Sequence, residues 1–349
     1  MLNWFIDESV LKQAMGGISS PLLVVIIIAC IATLSKGADW MVDGVVHLAQ
    51  RTGLSNIVIG ATIVSLGTTT PEAFVSVMAA FMGNPGLALG NGVGSIIADT
   101  GLIFGLTCVM TAVPLHRYIL NRMGWVQAGA ATLLVLISGG LALAGHGTPM
   151  LPRWVGFFFL FLLAIYMYAA YRWSVQGAAL LEQASDTHSL PQKSLAICLV
   201  LLLGGLLIVV LSARVMVPSA SEIALRLGVP DDVIAATMVA LGTSLPELTT
   251  AIVAVRRNHP EIVVGNVIGA DVLNCLFVIG AAAAARPLAI PHNFFYFHFP
   301  AMLLILYSLR IFIATNRKNH FHRWQGTWLL SIYLVYVLLQ YTLTIGTVH

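Results

Sequence analysis

The sequence predicts an all-α membrane protein with ten transmembrane helices arranged as two inverted five-helix repeats. Three observations predict it. The 349-residue chain is 58% hydrophobic and only 9% charged. Its apolar runs, cut by Gly, Pro and charged breakers, resolve into ten lengths that can span a bilayer. Two stretches of the chain match each other, without a gap, at an offset of 175 residues.

Composition sets the solvent. A soluble domain carries about a quarter charged residues. At 9% charged and a mean hydropathy of +0.92, most of this surface must face lipid. The net charge of +3 and the lack of a basic stripe with interleaved aromatics exclude nucleic acid as a partner. Cys30, Cys108, Cys198 and Cys275 all lie in apolar stretches without metal spacing, and read as small core hydrophobes. Asp7, Glu8 and Lys12 interrupt the N-terminal region, which does not read as a cleaved signal peptide.

The expected spans lie near 19–49, 55–82, 86–112, 124–145, 153–173, 195–226, 231–256, 260–284, 294–314 and 325–345. A hydrocarbon core of about 30 Å needs about 20 apolar residues. The first and sixth runs are longer and studded with polar residues, so tilt or bending is expected. The chain divides into an N-terminal tail (1–18), a first repeat (19–173), a central cytoplasmic linker (174–193) and a second repeat (194–349). With the N-terminus outside, the inside loops hold Arg51, Arg117, Arg122, Arg172, Lys193, Arg256, Arg257, Arg310, Arg317, Lys318 and Arg323. The outside segments then hold only Lys12, Arg153, Arg226 and Arg286. The positive-inside rule therefore places both termini outside.

The internal match begins with GATIVSLGTTTPEAFVSVMAA from Gly60 and GNGVGSIIADT from Gly90. It recurs as AATMVALGTSLPELTTAIVAV from Ala235 and GNVIGADVLNC from Gly265. Each half has an odd number of spans, so two copies in series face opposite ways across the bilayer. Inverted repeats with interrupted helices at the midplane mark secondary transporters.

The repeated polar residues have cation chemistry. Glu72 and Glu247 lie mid-span, where a charged carboxylate costs about 2.5–3.5 kcal/mol on insertion scales. The second, third, seventh and eighth spans hold no Lys or Arg inside to neutralise them, so a mobile cation is the expected partner. The alternative is a protonated glutamate locking two helices. Pro71 and Pro246 precede these acids. A proline has no N–H to offer the carbonyl four residues back, at Gly67 or Gly242. A locally unwound helix is expected there, with carbonyls facing a polar cavity. The plainer alternative is a proline kink with capping threonines. Thr68, Thr69, Thr243 and Ser244 add hydroxyls. Carboxylate, carbonyl and hydroxyl oxygens suit Ca²⁺ and Na⁺, whereas transition metals favour His or Cys.

On the following span of each half, Gly90, Gly94, Gly265 and Gly269 form GxxxG spacings that permit close helix contact. Asp99 and its repeat mate Asn274 are candidate ligands. Ser95 lies on the same face as Asp99, and Asp271 lines the same cavity or its rim. Lys36 and Asp39 are spaced to pair locally, and Asp43 and Arg214 are assigned with them to structure or gating.

The paired motifs closely resemble the α-repeats of the calcium/cation antiporter superfamily, in its prokaryotic-type sodium/calcium exchanger branch. GTSLPE stands at 242–247 and becomes GTTTPE at 67–72. The resemblance implies five-plus-five inverted topology, first and sixth helices that slide against the bundle, and exchange of Ca²⁺ against Na⁺. It places the central acids on Glu72 and Glu247. Hydroxyl and carbonyl ligands fall on Thr68, Thr69, Thr243 and Ser244, and third-helix ligands on Ser95 and Asp99 with repeat partners Ala270 and Asn274. Thr69 stands where serine is common, Ile96 replaces an asparagine, and Ala270 replaces a serine hydroxyl. The Asp99/Asn274 pair keeps the family's carboxylate total with its side exchanged.

The function expected is secondary active antiport by alternating access in a prokaryotic plasma membrane. The runner-up is a Ca²⁺/H⁺ or K⁺-involving exchanger of the same fold, with a cation channel behind it. No enzyme is expected: no Walker motif occurs, and Asp99 and Asp271 lack a GxGD protease context. No resident cofactor is expected, since Ca²⁺ and Na⁺ (or H⁺) are cargo. The partners are inorganic cations and the lipid bilayer, with no obligatory protein partner.

Overall fold

The computed structural model describes residues 14–52, 55–144, 148–181, 194–227, 244–316 and 320–346. Within them lie ten helices: α1 (Ser20–Thr52), α2 (Asn56–Phe81), α3 (Pro85–Met110), α4 (Arg117–Ala144), α5 (Arg153–Leu181), α6 (Leu195–Arg226), α7 (Leu245–Arg256), α8 (Pro260–Ala285), α9 (Phe294–Thr315) and α10 (Arg323–Gly346). Eight of them are long and apolar enough to cross a membrane. The rest of the seventh expected span lies outside the described residues, as do most of the N-terminal tail and residues 182–193 of the expected linker.

Two expected boundaries move. Helix α4 starts at Arg117 rather than near 124, and α5 runs to Leu181 rather than 173. The α4 extension carries Arg117 and Arg122, and Arg172 stands just before the α5 extension. Hydropathy stops at a charge, but a helix continues into the interface, where a long basic side chain reaches water.

Burial sorts the helices into layers. Within their most apolar windows, α8 is 94% and α3 72% buried by protein, against 28% for α1 and 22% for α6. Helices α3 and α8 are therefore the centre, while α1 and α6 lie on the flank and pack extensively on each other. That contact is close. A Cβ on Gly205 would stand 2.5 Å from the Gly37 carbonyl oxygen, and one on Gly44 would stand 2.5 Å from the Leu202 nitrogen. Ser212 adds a hydrogen bond to Thr33 Oγ1 at 2.8 Å.

The repeat is visible as geometry. Gly83 (φ 80°) and Asn258 (φ 60°), repeat mates, both adopt the left-handed conformation that turns one helix into the next. Glycine has no steric cost there and asparagine little. A wide π turn opens at Asp99 in α3 and at its mate Asn274 in α8. Four two-residue strands close the ends: β1 (Val113–Pro114), β2 (Met150–Leu151), β3 (Leu288–Ala289) and β4 (His320–Phe321). β1 pairs with β4 and β2 with β3, both antiparallel. Each pair joins a loop of one half to a loop of the other that alternating spans place on the same membrane side.

Candidate functional site

The site forms where α2 and α7 meet the centres of α3 and α8. Glycines let them meet. A Cβ on Gly265 would stand 1.9 Å from the Ile57 carbonyl oxygen, and one on Gly269 2.4 Å from that of Ala61. The second GxxxG thus seats α8 backbone-to-backbone on the start of α2. The first behaves differently among the described residues: Gly90 faces only Phe294 at 3.9 Å, and Gly94 meets nothing within 4 Å.

Backbone around the two prolines departs from the expectation in one half. Helix α2 runs unbroken through Pro71, and Gly67 has no unusual backbone angle. The irregularity lies one turn earlier, as a π turn over Gly60–Val64. An interior proline forfeits its bond to the Gly67 carbonyl without forcing the helix apart. Gly67 serves packing instead: a Cβ there would fall 2.1 Å from Leu206 Cδ2 of α6. In the second half Ser244 sits outside helical geometry (φ −88°, ψ 4°), and α7 begins after it. Gly242 lies outside the described residues.

Of the expected site residues, Thr243 lies outside the described residues. The other nine (Thr68, Thr69, Glu72, Ser95, Asp99, Ser244, Glu247, Asp271 and Asn274) are each at most 4% exposed. The charges of Glu72, Glu247 and Asp99 act on one another, and Asp271 acts on Asp99. Asn274 Nδ2 donates to Asp99 Oδ2 at 3.2 Å. The Thr68 hydroxyl donates to the carbonyls of Val64 and Ser65 on its own helix, at 3.2 Å and 3.3 Å, and acts electrostatically on the Glu247 carboxyl group across the repeat.

Seven oxygens of this set have no hydrogen-bond partner among the described residues: Thr69 Oγ1, Glu72 Oε2, Asp99 Oδ1, Ser244 Oγ, Glu247 Oε2, Asp271 Oδ1 and Asn274 Oδ1. Buried polar atoms are ordinarily more than about 90% satisfied, and a buried acceptor left alone costs about 1–3 kcal/mol. All seven are hard oxygen donors, and they come from both halves; among the described residues no three His, Cys, Asp or Glu side chains stand close enough together to hold a metal ion by themselves. Their chemistry fits Ca²⁺ or Na⁺ and offers no nitrogen or sulfur to a softer metal.

Three groups around the site carried little sequence signal. Asp271 Oδ2 accepts from the Thr100 hydroxyl and from Gln127 Nε2 of α4. Gln127, a buried amide in the middle of a span, was the available clue. Asn91 Nδ2 donates to the Glu72 carbonyl at 3.1 Å and to Ser76 Oγ at 2.9 Å, clamping α3 to α2. Arg214 of α6 acts electrostatically on Glu72, although the spans bearing the acids have no internal cation. Its clue was its position, as the repeat mate of Asp39.

The expected Lys36–Asp39 pair does not form. Asp39 and Asp43 instead share Arg257, at 2.9 Å and 2.7 Å. The guanidinium fork offers two acids one turn apart a better fit than a neighbouring ammonium on the same helix.

Known proteins resemble this arrangement over most of its length. The model of the family described as sodium/calcium exchanger protein matches residues 22–172 and again 197–342, once in each half. Membrane protein MJ0091 of Methanocaldococcus jannaschii is 33% identical over 309 residues, 86% of this chain and 92% of that protein. The sodium/calcium exchanger MaX1 of Methanosarcina acetivorans is 28% identical over 331 residues, 87% and 94% of the two chains. The solved structure of the sodium-calcium exchanger NCX_Mj superposes with a TM-score of 0.76 at 29% identity, covering 92% of this chain and 99% of that one. The chain is a membrane protein of the sodium/calcium exchanger family.

Proposed function

We propose that the protein exchanges Ca²⁺ for Na⁺ by alternating access, with Glu72, Glu247 and Asp99 as the charged ligands. Thr68, Thr69, Thr243, Ser244, Ser95, Asn274 and Asp271 complete the oxygen set. The single observation that carries this is the group of seven unpartnered buried oxygens contributed by both halves. An empty cluster of carboxylates is costly to move through a low-dielectric barrier. One Ca²⁺ or several Na⁺ offset that charge, so the site crosses when loaded, and the two fluxes are coupled. Exchange needs no nucleotide and no chemical step on the protein.

Positive-inside counting supports both termini outside a prokaryotic inner membrane. Reporter fusions at residue 349 test the orientation, and a cytoplasmic signal there would reverse it. The function is tested in proteoliposomes loaded with Na⁺ and diluted into Na⁺-free buffer containing isotopic Ca²⁺. Uptake is expected for the wild type, and not for Glu72→Gln or Glu247→Gln. Normal uptake by both variants would remove the site assignment. Uptake that follows an imposed pH gradient without Na⁺ would replace the counter-ion.

A further inference from the structure

Cation exchange at the oxygen set leaves one charge unused. Between Leu195 and Ser221, Arg214 is the sole charged residue of α6. It is half-buried. A cation inside a span is expensive, and such residues mark ion pathways and have partners.

Helix packing brings this charge to the site. Helices α2 and α6 are both even-numbered spans, so they run the same way across the bilayer. They meet at Gly67, where a Cβ would stand 2.1 Å from Leu206 Cδ2. From that contact Glu72 lies five residues further along α2, and Arg214 eight further along α6. At about 1.5 Å per residue, the two differ in height by about 4.5 Å. Leu206 and Arg214, at i and i+8, share a face of their helix. A long helical side chain leans toward its own N-terminus, which lowers the guanidinium toward the level of Glu72. The charge of Arg214 accordingly acts on Glu72, whose Oε2 has no hydrogen-bond partner among the described residues. Pro218 stands four residues after Arg214, so it offers no N–H to the Arg214 carbonyl. The helix is thereby loosened at the turn that carries the charge.

The inverted repeat does not supply a second charge of this kind. The mate of Arg214, 175 residues earlier, is Asp39. Arg257 holds Asp39 at 2.9 Å. One half therefore sets a fixed positive charge against a central acid, at a position where the other half has an acid. Every oxygen of the site attracts a cation; Arg214 repels one.

We propose that Arg214 is a resident counter-ion of Glu72, which competes with the transported cation for that carboxylate and keeps its affinity low. The inference rests on the assignment of Glu72 to the ion site. When the site is empty, the guanidinium offsets part of the acid's charge. When a cation is bound, the two like charges repel, and release is favoured. Arginine suits this role because it stays charged beside carboxylates and cations alike.

The test is Ca²⁺ binding to the full chain in neutral detergent and choline chloride, read by isothermal titration calorimetry. Arg214→Gln should tighten binding by at least about tenfold. Arg214→Met, unbranched and apolar, should do the same, so that either neutral variant suffices. Arg214→Lys keeps the charge and should stay within about threefold of wild type. Thermal unfolding gives the reciprocal measure. Without Ca²⁺ the neutral variants should melt below the wild type, and saturating Ca²⁺ should raise their midpoint by more than it raises the wild type's. Loss of a merely structural contact would leave binding unchanged or weaker and lower both midpoints alike, and that result would overturn the proposal. So would tightening in Arg214→Lys equal to that in Arg214→Gln. A wild type that binds no Ca²⁺ would remove the site assignment and this inference with it, whereas unchanged or weaker binding in the neutral variants overturns this inference alone.

Discussion

Asn274 donates its amide to the carboxylate of Asp99 at 3.2 Å, and the two residues occupy the same position of the two repeats, 175 residues apart. One acid and one amide thus meet on the pseudo-symmetry axis, each opening the π turn of its helix. Such turns are frequent at functional sites, because the wider turn re-aims the residues that open it.

If the carboxylate matters for its charge and not for its side of the axis, it can be moved. Asp99→Asn removes one charge from the oxygen set and is expected to weaken Ca²⁺ uptake by about thirtyfold or more, the equivalent of about 2 kcal/mol. Asp99→Asn/Asn274→Asp restores the total and should recover uptake to within about tenfold of wild type. Apparent Ca²⁺ affinity in proteoliposomes measures both. A double variant as weak as the single one would mean that the two positions are not equivalent.

The α2–α8 contact makes a prediction about stability. A Cβ at Gly269 would fall 2.4 Å from the Ala61 carbonyl oxygen, a separation that backbone must move to relieve. Overpacking of this kind costs about 1–3 kcal/mol. Gly139, on α4, meets nothing within 4 Å among the described residues. Gly139→Ala should be neutral or stabilising by up to about 1 kcal/mol, because alanine is the better helix former. Thermal unfolding in detergent should therefore separate Gly269→Ala from Gly139→Ala, in that order of loss.

The spans and the repeat were legible because each is a one-dimensional signal. Hydropathy marks the lipid-facing lengths, and Glu72 and Glu247 stand out as charges inside apolar runs with a copy 175 residues away. The partners of Asp271 were not legible. Thr100 and Gln127 sit on α3 and α4, and only the packing of α4 on α8 brings an amide 144 residues away onto that carboxylate. The unwound backbone was not legible in the first half, and Gly242 of the second lies outside the described residues. Proline reports a missing donor, but whether the helix opens depends on its neighbours. Ser244, the first described residue before α7, is outside helical geometry, while the helix through Thr69 and Pro71 is continuous.

Gln127 gives a test of those partners. Its amide and the Thr100 hydroxyl both donate to Asp271 Oδ2, leaving Oδ1 unpartnered. Groups that orient ligands are typically worth about 10–100-fold in metal affinity. Gln127→Leu should therefore lower apparent Ca²⁺ affinity by about tenfold with the fold intact, while Gln127→Glu/Asp271→Asn, which exchanges donor and acceptor, should recover part of it. Unchanged affinity in Gln127→Leu would take Asp271 out of the oxygen set.

Arg257 ties the flank to the centre. From the end of α7 its Nε meets Asp39 Oδ1 at 2.9 Å and its Nη1 meets Asp43 Oδ1 at 2.7 Å, both acids lying on α1. The three side chains are between 31% and 39% exposed, so water screens the bonds. Pairs of this kind contribute about 0–1 kcal/mol. Arg257→Gln is expected to lower stability by less than about 1 kcal/mol at low ionic strength. The difference from wild type should vanish in about 1 M choline chloride, where the Debye length falls to about 3 Å. Choline is used because Na⁺ is a substrate. Thermal unfolding of both chains at the two ionic strengths measures this. A loss of about 2 kcal/mol that survives high salt would mean that Arg257 is structural in its own right, and not a screened strap across which α1 can move.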